Sequence, residues 1–234
     1  MQRVKTQNRY LLSILIYLVF ISPVFVWGPI MAQISDPDPK RFSEEIEAFM
    51  LWDSKNSFNE NAILFVGSSS IRLWSTAFYF PEFLVINRGF GGSHISDVNH
   101  YYEQIVKKYK PARIVFYAGD NDIADGKSPQ QVLEDFKHFA GRVEQDFPNT
   151  RVYYLPIKPS ISRWQFWPLM SETNTMIQQL IQKKANFTYV DTATPMLNAA
   201  GEPNPDLFVK DILHLNTRGY QLWSKILLPF LEKN

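Results

Sequence analysis

The stretch AILFVGSSS, at residues 62–70, decides the fold. Its first five residues form a short apolar run, which is typical of a buried strand. The glycine and the serines that follow end the strand and can begin a helix. A strand of this kind, apolar on both faces, belongs to a parallel sheet that is covered on both sides.

The same alternation continues along the rest of the chain. Strands are predicted at residues 62–66, 84–87, 113–118, 151–155 and 187–191. Helices are predicted at residues 44–56, 95–109, 129–147, 169–185 and 217–231. Ser128 and Gln131 form a capping box at one of these helices, and Asn216 can cap the last. Strands and helices that alternate five times predict an α/β fold with a five-stranded parallel sheet.

The composition is that of a folded globular protein. Hydrophobic residues make up 45% and charged residues 20% of the 234 residues, so the chain can bury a sizeable core. Cysteine is absent, which excludes a disulfide scaffold, a zinc–thiolate site and a cysteine nucleophile. The net charge is +1 and the chain has no basic run, so nucleic acid is not expected as a partner.

The N-terminal segment, residues 1–32, is predicted to be a cleaved export signal or an uncleaved membrane anchor. It begins with basic residues, and no charged residue occurs from residue 10 to residue 35. A positive start before an apolar run is typical of a secretory signal, and the run is also long enough to span a bilayer, which takes about 20 residues. Both alternatives predict a protein in the periplasm or outside the cell. Residues 33–42 are interpreted as a linker and residues 43–234 as one domain.

Unusual residues follow four of the predicted strands, at the sheet edge where parallel α/β sheets bind ligands. The first group is GSSS at residues 67–70, where a serine at a helix start has an exposed hydroxyl and N–H groups that favour an anion. The second is GFGGSH at residues 89–94, whose glycines let backbone N–H groups approach a ligand. It is not a dinucleotide-binding fingerprint, because His94 stands where a glycine is required.

The third group is GDND at residues 119–122. Asn121 can donate its side-chain amide to a developing oxyanion. The nearby acids Asp120, Asp122 and Asp125 suggest calcium, but Ala124 occupies the fifth position of the loop pattern. No metal site is therefore predicted.

The fourth group is DILH at residues 211–214. A carboxylate three residues before a histidine can hold its Nδ1–H and leave Nε2 free as a base, so Asp211 and His214 form the candidate acid–base pair. His100 and His138 lie in predicted helices and are expected on the surface. His94 has no acid in the right relation along the chain. The four groups together supply the nucleophile, the oxyanion donors and the base that acyl transfer needs.

This set of motifs resembles the SGNH hydrolases, also called the GDSL esterase/lipase family. The matching stretches are FVGSSSIRLW at residues 65–74, NRGFGGS at 87–93, YAGDND at 117–122 and DILHLNTRGY at 211–220. The resemblance implies a flavodoxin-like three-layer sandwich and neither a metal nor an organic cofactor. It implies Ser69 as the nucleophile, and Gly92 and Asn121 as oxyanion donors beside the Ser69 N–H. Asp211 and His214 would complete the triad.

One position departs from the family's pattern. The family's signature is Gly-Asp-Ser, and Ser68 stands here in place of the aspartate. That aspartate is not the triad acid, so the chemistry should survive. Ser69 matches the family's serine by position, and Ser70 is the alternative nucleophile because three serines stand in a row.

The substrate is expected to be a small-molecule or glycan ester with a short acyl group, since the sequence contains no long apolar lid. The loop after the fourth strand, KPSISRWQFW at residues 158–167, offers aromatic rings for a sugar or an acyl group. The candidates for the substrate pocket are His94, Arg163, Trp164 and Trp167. One scaffold serves many substrates, so the motifs do not select among them.

Three functions are compatible with these residues. The first is a serine esterase that hydrolyses acyl esters, most simply acetyl esters. The second is an envelope glycan O-acyltransferase that uses the same triad. The third is a non-catalytic glycan-binding module, which the intact set of catalytic residue types disfavours.

Overall fold

The computed structural model describes residues 34–60 and 62–232. The prediction for residues 1–32 lies outside the described residues. Within the described part, the strands are β1 (Ile63–Gly67), β2 (Val85–Gly89), β3 (Arg113–Tyr117), β4 (Arg151–Tyr154) and β5 (Phe187–Tyr189). The helices are α1 (Ser43–Asp53), α2 (Ser69–Arg72), α3 (Thr76–Tyr79), α4 (Ile95–His100), α5 (Tyr102–Ile105), α6 (Asp120–Ala124), α7 (Pro129–Asp146), α8 (Trp167–Ile181) and α9 (Thr217–Glu232). In this part of the chain no helix combines the length and the apolar character that a membrane crossing requires.

The five strands form one parallel sheet in the order β2-β1-β3-β4-β5. This confirms the predicted α/β fold. The last residues of β2, β1 and β3 are in register, with Gly67 paired to both Gly89 and Tyr117. The chain segments that leave β1, β2 and β3 therefore start at the same level of one sheet edge.

Alternate residues of each strand face opposite layers, as the pleat of a strand requires. In β1, Leu64 and Val66 pack into a core with α4, α5, α7 and α8, while Ile63 and Phe65 pack into a second core with α9. All four side chains are buried. The result is a three-layer sandwich.

Two connections differ from the regular alternation. The crossover from β1 to β2 contains two four-residue helices, α2 and α3, rather than one long helix. The predicted helix 95–109 is divided into α4, α5 and a short 3-10 turn. The first break lies at Tyr101, whose hydroxyl donates to the Pro39 carbonyl and whose ring contacts Phe90. These tertiary contacts override a helical pattern that is otherwise continuous.

The segment interpreted as a linker contacts the domain. Phe42 is buried in the core with α1, Gln131 donates to the Ile34 carbonyl, and Asp36 forms an ion pair with Lys127. Both predicted caps are present. The Ser128 hydroxyl accepts from the Gln131 N–H, and Asn216 accepts from the N–H of Gly219 in the first turn of α9.

Candidate active site

The turn after β1 places Ser69 at the edge of the sheet. Gly67 has φ +141°, and a Cβ at this position would lie 1.8 Å from the Tyr117 carbonyl oxygen, so only glycine fits. The next N–H, of Ser68, donates to the same carbonyl at 2.9 Å. Ser69 then begins α2, so its N–H belongs to a first turn in which helices leave such groups without an intrahelical acceptor.

The loop before α9 brings His214 to this serine. The Nε2 atom of His214 lies 3.0 Å from the Oγ atom of Ser69, and its Nδ1 atom lies 2.6 Å from the Oδ2 atom of Asp211. The other carboxylate oxygen of Asp211 accepts from the N–H groups of Leu213 and His214, both at 2.9 Å. One carboxylate therefore fixes both the ring and the backbone of the histidine.

The charge of Asp211 is stabilised by the same contacts. Partial burial raises the pKa of Asp211, but hydrogen bonds from the His214 ring and from two main-chain N–H groups outweigh it and lower the pKa to about 2. The carboxylate is thus ionised at neutral pH. An ionised carboxylate at Nδ1 keeps that nitrogen protonated and leaves Nε2 as the hydrogen-bond acceptor that faces Ser69.

The loop itself is held in an unusual conformation. Ile212 has φ +52°, a region that β-branched residues rarely adopt. The N–H of Val209 donates to the His214 carbonyl, and Phe208 pairs with Leu215 in an isolated bridge. These bonds close the loop and aim His214 at the sheet edge.

Gly92 and Asn121 meet at the same edge. The Asn121 amide donates to the Ser93 carbonyl at 3.0 Å, which joins α6 to the loop after β2 and leaves its second N–H available. Gly92 has φ +80°, and a Cβ built on it would meet nothing within 4 Å, so the space beside it is open. The backbone here can approach a ligand closely.

His94, a candidate for the substrate pocket, forms a contact that the sequence alone did not indicate. It is buried, and its Nε2 atom lies 2.8 Å from Asp125, so an acid is present although none was expected. Its N–H donates to Asp97, which caps α4. Because Asp125 follows α6 and His94 precedes α4, this contact depends on tertiary structure and no spacing in the chain predicts it.

The other pocket candidates lie on the loop after β4. The Nη1 atom of Arg163 is 3.2 Å from Asp120, and the rings of Trp164 and Trp167 are stacked with their centroids 5.7 Å apart. Trp164 borders a cavity of about 390 Å³. The remaining residues of this cavity are Ile161, Asn198, Glu202, Pro203 and Pro205.

Sequence reasoning missed Lys158. Its side chain is 1% exposed, and its Nζ atom lies 3.0 Å from Asp120 and 3.2 Å from the Tyr117 hydroxyl. A lysine three residues beyond a buried strand, in the loop at the binding edge, was the available signal. The three acids of the calcium interpretation diverge, because Asp120 pairs with Lys158, Asp122 with Lys127, and Asp125 with His94.

A family model described as the GDSL-like lipase/acylhydrolase family matches residues 72–222 of this chain. The chain belongs to this family. The match contains Gly92, Asn121, Asp211 and His214 and begins just after Ser69. GDSL-like acylhydrolases are carboxylic ester hydrolases, and the protein is an enzyme of this class. No curated protein sequence matches the chain.

Solved structures share the fold. A Streptococcus pneumonia protein provisionally described as platelet activating factor has a TM-score of 0.74 at 22% identity, over 82% of this chain and 93% of that one. A GDSL-like lipase from Bacteroides thetaiotaomicron has a TM-score of 0.66 at 18% identity, over 83% and 97%. A mutant acetylxylan esterase from Geobacillus stearothermophilus has a TM-score of 0.61 at 14% identity, over 76% and 97%.

Proposed function

We propose that this GDSL-like acylhydrolase cleaves short-chain acyl esters, acetyl esters foremost, with Ser69 as the nucleophile. The observation that carries the proposal is the continuous chain of hydrogen bonds from Asp211 through His214 to Ser69. A base within hydrogen-bond reach of a hydroxyl, itself oriented by a carboxylate, is the arrangement that activates a serine.

The first step transfers the acyl group to the enzyme. Ser69 Oγ attacks the ester carbonyl while its proton passes to His214 Nε2. Asp211 stabilises the imidazolium that forms but does not take up the proton. Negative charge develops on the carbonyl oxygen. It is stabilised by hydrogen bonds from the N–H groups of Ser69 and Gly92 and from the free amide hydrogen of Asn121.

The second half of the reaction regenerates the serine. His214 gives its proton to the leaving alcohol, and the C–O bond of the ester breaks. A water molecule then loses a proton to His214 and attacks the acyl-enzyme. His214 passes this proton to Ser69 Oγ as the acyl C–O bond breaks, which releases the carboxylic acid and restores the serine. An acceptor alcohol in place of water would make the protein an acyltransferase.

The comparisons support a short acyl group. Several similar structures are of esterases named for acetyl substrates. Their identities are low, so the names motivate the choice of test substrates.

Hydrolysis of 4-nitrophenyl esters of increasing chain length, beside acetylated sugars, tests the function. We expect kcat/KM to fall from acetate to longer chains, and Ser69→Ala to lower turnover by about 10³-fold or more. Ser70→Ala is the matched control and should be far milder, because it leaves Ser69, His214 and Asp211 in place. Equal losses in both variants would mean that the turn is structural. Transfer of the acyl group to an added sugar rather than to water would identify a transferase.

We also propose that the protein works outside the cytoplasmic membrane. The support is the basic and then uncharged sequence of residues 1–32. Mass spectrometry of the native protein should find an N-terminus near residue 33, or the full chain in the membrane fraction. Full-length protein in the soluble cytoplasm would contradict both forms of the proposal.

A further inference from the structure

We propose that Arg163 binds an anionic group on the alcohol portion of the ester, so that the preferred substrate is a short acyl ester of a carboxylate-bearing alcohol. This inference rests on the proposed function, which places the reacting carbonyl at Ser69. The reaction chemistry itself does not require Arg163. Its assignment comes from its position, its charge, its hydrogen-bonding capacity and the aromatic rings beside it.

Position comes from the loop after β4. The N–H of Ser162 donates to the Ile212 carbonyl at 3.2 Å, so the loop that carries Arg163 lies directly against the loop that carries His214. Arg163 also forms its ion pair with Asp120, the neighbour of Asn121 along the chain. The guanidinium therefore contacts the segment that supplies an oxyanion donor, and the loop that carries it contacts the segment that supplies the base.

Charge points to an anion. Burial raises the pKa of Asp120, but the positive charges of Lys158 and Arg163 outweigh it, and His214 adds to their effect. The carboxyl therefore stays ionised. The same oxygen of Asp120 faces Lys158 at 3.0 Å and Arg163 at 3.2 Å. One carboxylate thus serves two cations, and this trio has one positive charge in excess that a substrate anion would balance.

Hydrogen-bonding capacity points to a planar anion. A guanidinium has five N–H donors in a fixed fork, and within the described residues Arg163 forms a single ion pair. Its Nη1 atom is buried without a well-directed hydrogen bond in that part of the chain. The side chain is 19% exposed, so an edge of the fork can be reached. A carboxylate matches this geometry with two parallel hydrogen bonds.

The neighbouring rings assign the charge to the alcohol. The next residue, Trp164, stacks on Trp167 and borders the cavity of about 390 Å³. An aromatic wall beside a cation fits a ring that carries an acidic substituent. An acetyl group has no position for a negative charge. The charged substituent therefore belongs to the leaving alcohol.

A matched pair of substrates tests the inference. 3-Acetoxybenzoate and 3-acetoxybenzamide have nearly the same shape and differ in charge. We expect the wild-type enzyme to prefer the benzoate by tenfold or more in kcat/KM, mainly through KM. Arg163→Gln should lower the ratio of the two kcat/KM values at least tenfold, since a charge-assisted hydrogen-bond pair is lost. Arg163→Lys should give an intermediate ratio, because it keeps the charge but not the fork.

Two controls separate the possible failures. Arg218→Gln removes an arginine that is 70% exposed on α9 and should leave the ratio unchanged. Ser69→Ala should abolish hydrolysis of both substrates. If Ser69 is required and the benzoate has no advantage, or Arg163→Gln leaves the ratio intact, the anion site is wrong and the esterase stands. If Ser69→Ala hydrolyses both at the wild-type rate, the proposed function fails.

Discussion

Two histidines of this enzyme each pair with an aspartate, and only one of them faces a hydroxyl. His214 contacts Asp211 through Nδ1 and Ser69 through Nε2, and its side chain is 26% exposed. His94 contacts Asp125 through Nε2 and is 1% exposed. Its other nitrogen has no hydrogen-bond partner among the described residues. A histidine–carboxylate pair thus becomes a candidate base only where its second nitrogen meets a nucleophile in an open site.

His94 belongs to a group of charged residues with a different task, in which Lys127 and Asp122 are buried. Lys127 is surrounded by Asp36, Asp122 and Asp135, at 2.5, 3.1 and 2.7 Å. Asp122 also accepts from the N–H of Ile95. These contacts join the segment before α1, the start of α4 and the turn of α6. This group therefore holds together the loops that carry Gly92 and Asn121.

The largest effects are expected at His214 and Asp211, which we call the open pair because His214 faces Ser69 in an open site. His214→Ala should lower kcat by about 10³-fold or more, as Ser69→Ala does, and the double variant should be little worse than either single one. Residues that act as one unit give this non-additivity. Single-turnover and steady-state kinetics with 4-nitrophenyl acetate would measure it. Losses that multiply in the double variant would mean that the two residues act separately.

Asp211→Asn should have a smaller effect, of about 10²-fold on kcat. The aspartate orients the imidazole and stabilises its charge but carries no proton. Because Asp211 is 48% exposed, water can replace part of its role. The asparagine can still accept from the N–H groups of Leu213 and His214, so the loop should keep its shape. An effect equal to that of His214→Ala would show that His214 cannot act as the base unless Asp211 orients its ring.

His94→Ala should have the opposite outcome, with a small effect on catalysis and a larger effect on stability. We expect kcat/KM to stay within about tenfold of wild type, while the free energy of unfolding falls by about 1–3 kcal/mol because a buried hydrogen bond and packing are lost. Denaturant titration beside the esterase assay measures both quantities. A catalytic loss as large as that of His214→Ala, with the free energy of unfolding unchanged, would mean that His94 is the base.

Asp122, which lies in the group of charged residues around Lys127 and His94, should make the free energy of unfolding depend on pH. Burial raises its pKa from 3.8 to about 6, against the opposing effects of Lys127 and His94. The native state then holds this proton more tightly than the unfolded state does. The contribution of Asp122 to stability is therefore present below about pH 4 and is lost as pH rises to about 6, by up to about 3 kcal/mol. Asp122→Asn should remove this slope from the free energy of unfolding between pH 4 and 7, and an unchanged slope would contradict the assignment.

Local patterns were sufficient for much of the fold and for the open pair. The five strands follow from apolar runs that end at glycine or polar residues, and the three-residue spacing of Asp211 and His214 carries its own geometry. The break at Tyr101 follows from its contacts with Pro39 and Phe90, which no local pattern encodes.

The pairing of charged side chains at the sheet edge could not be predicted from the sequence for the same reason. Lys158 reaches Asp120 across 38 positions of the chain, and Asp125 reaches His94 across 31. Each partner lies in a different loop of the sheet edge. The predicted strand ends placed these loops together, but which side chains would pair there depends on packing.

Covalent labelling tests the central claim most directly. A 4-nitrophenyl phosphonate should react with one residue of the full-length enzyme, and peptide mass spectrometry should find the phosphonyl group on Ser69. His214→Ala should slow the labelling strongly, whereas His94→Ala should label at nearly the wild-type rate. A phosphonyl group on Ser70, or labelling that depends on His94 rather than on His214, would contradict the account.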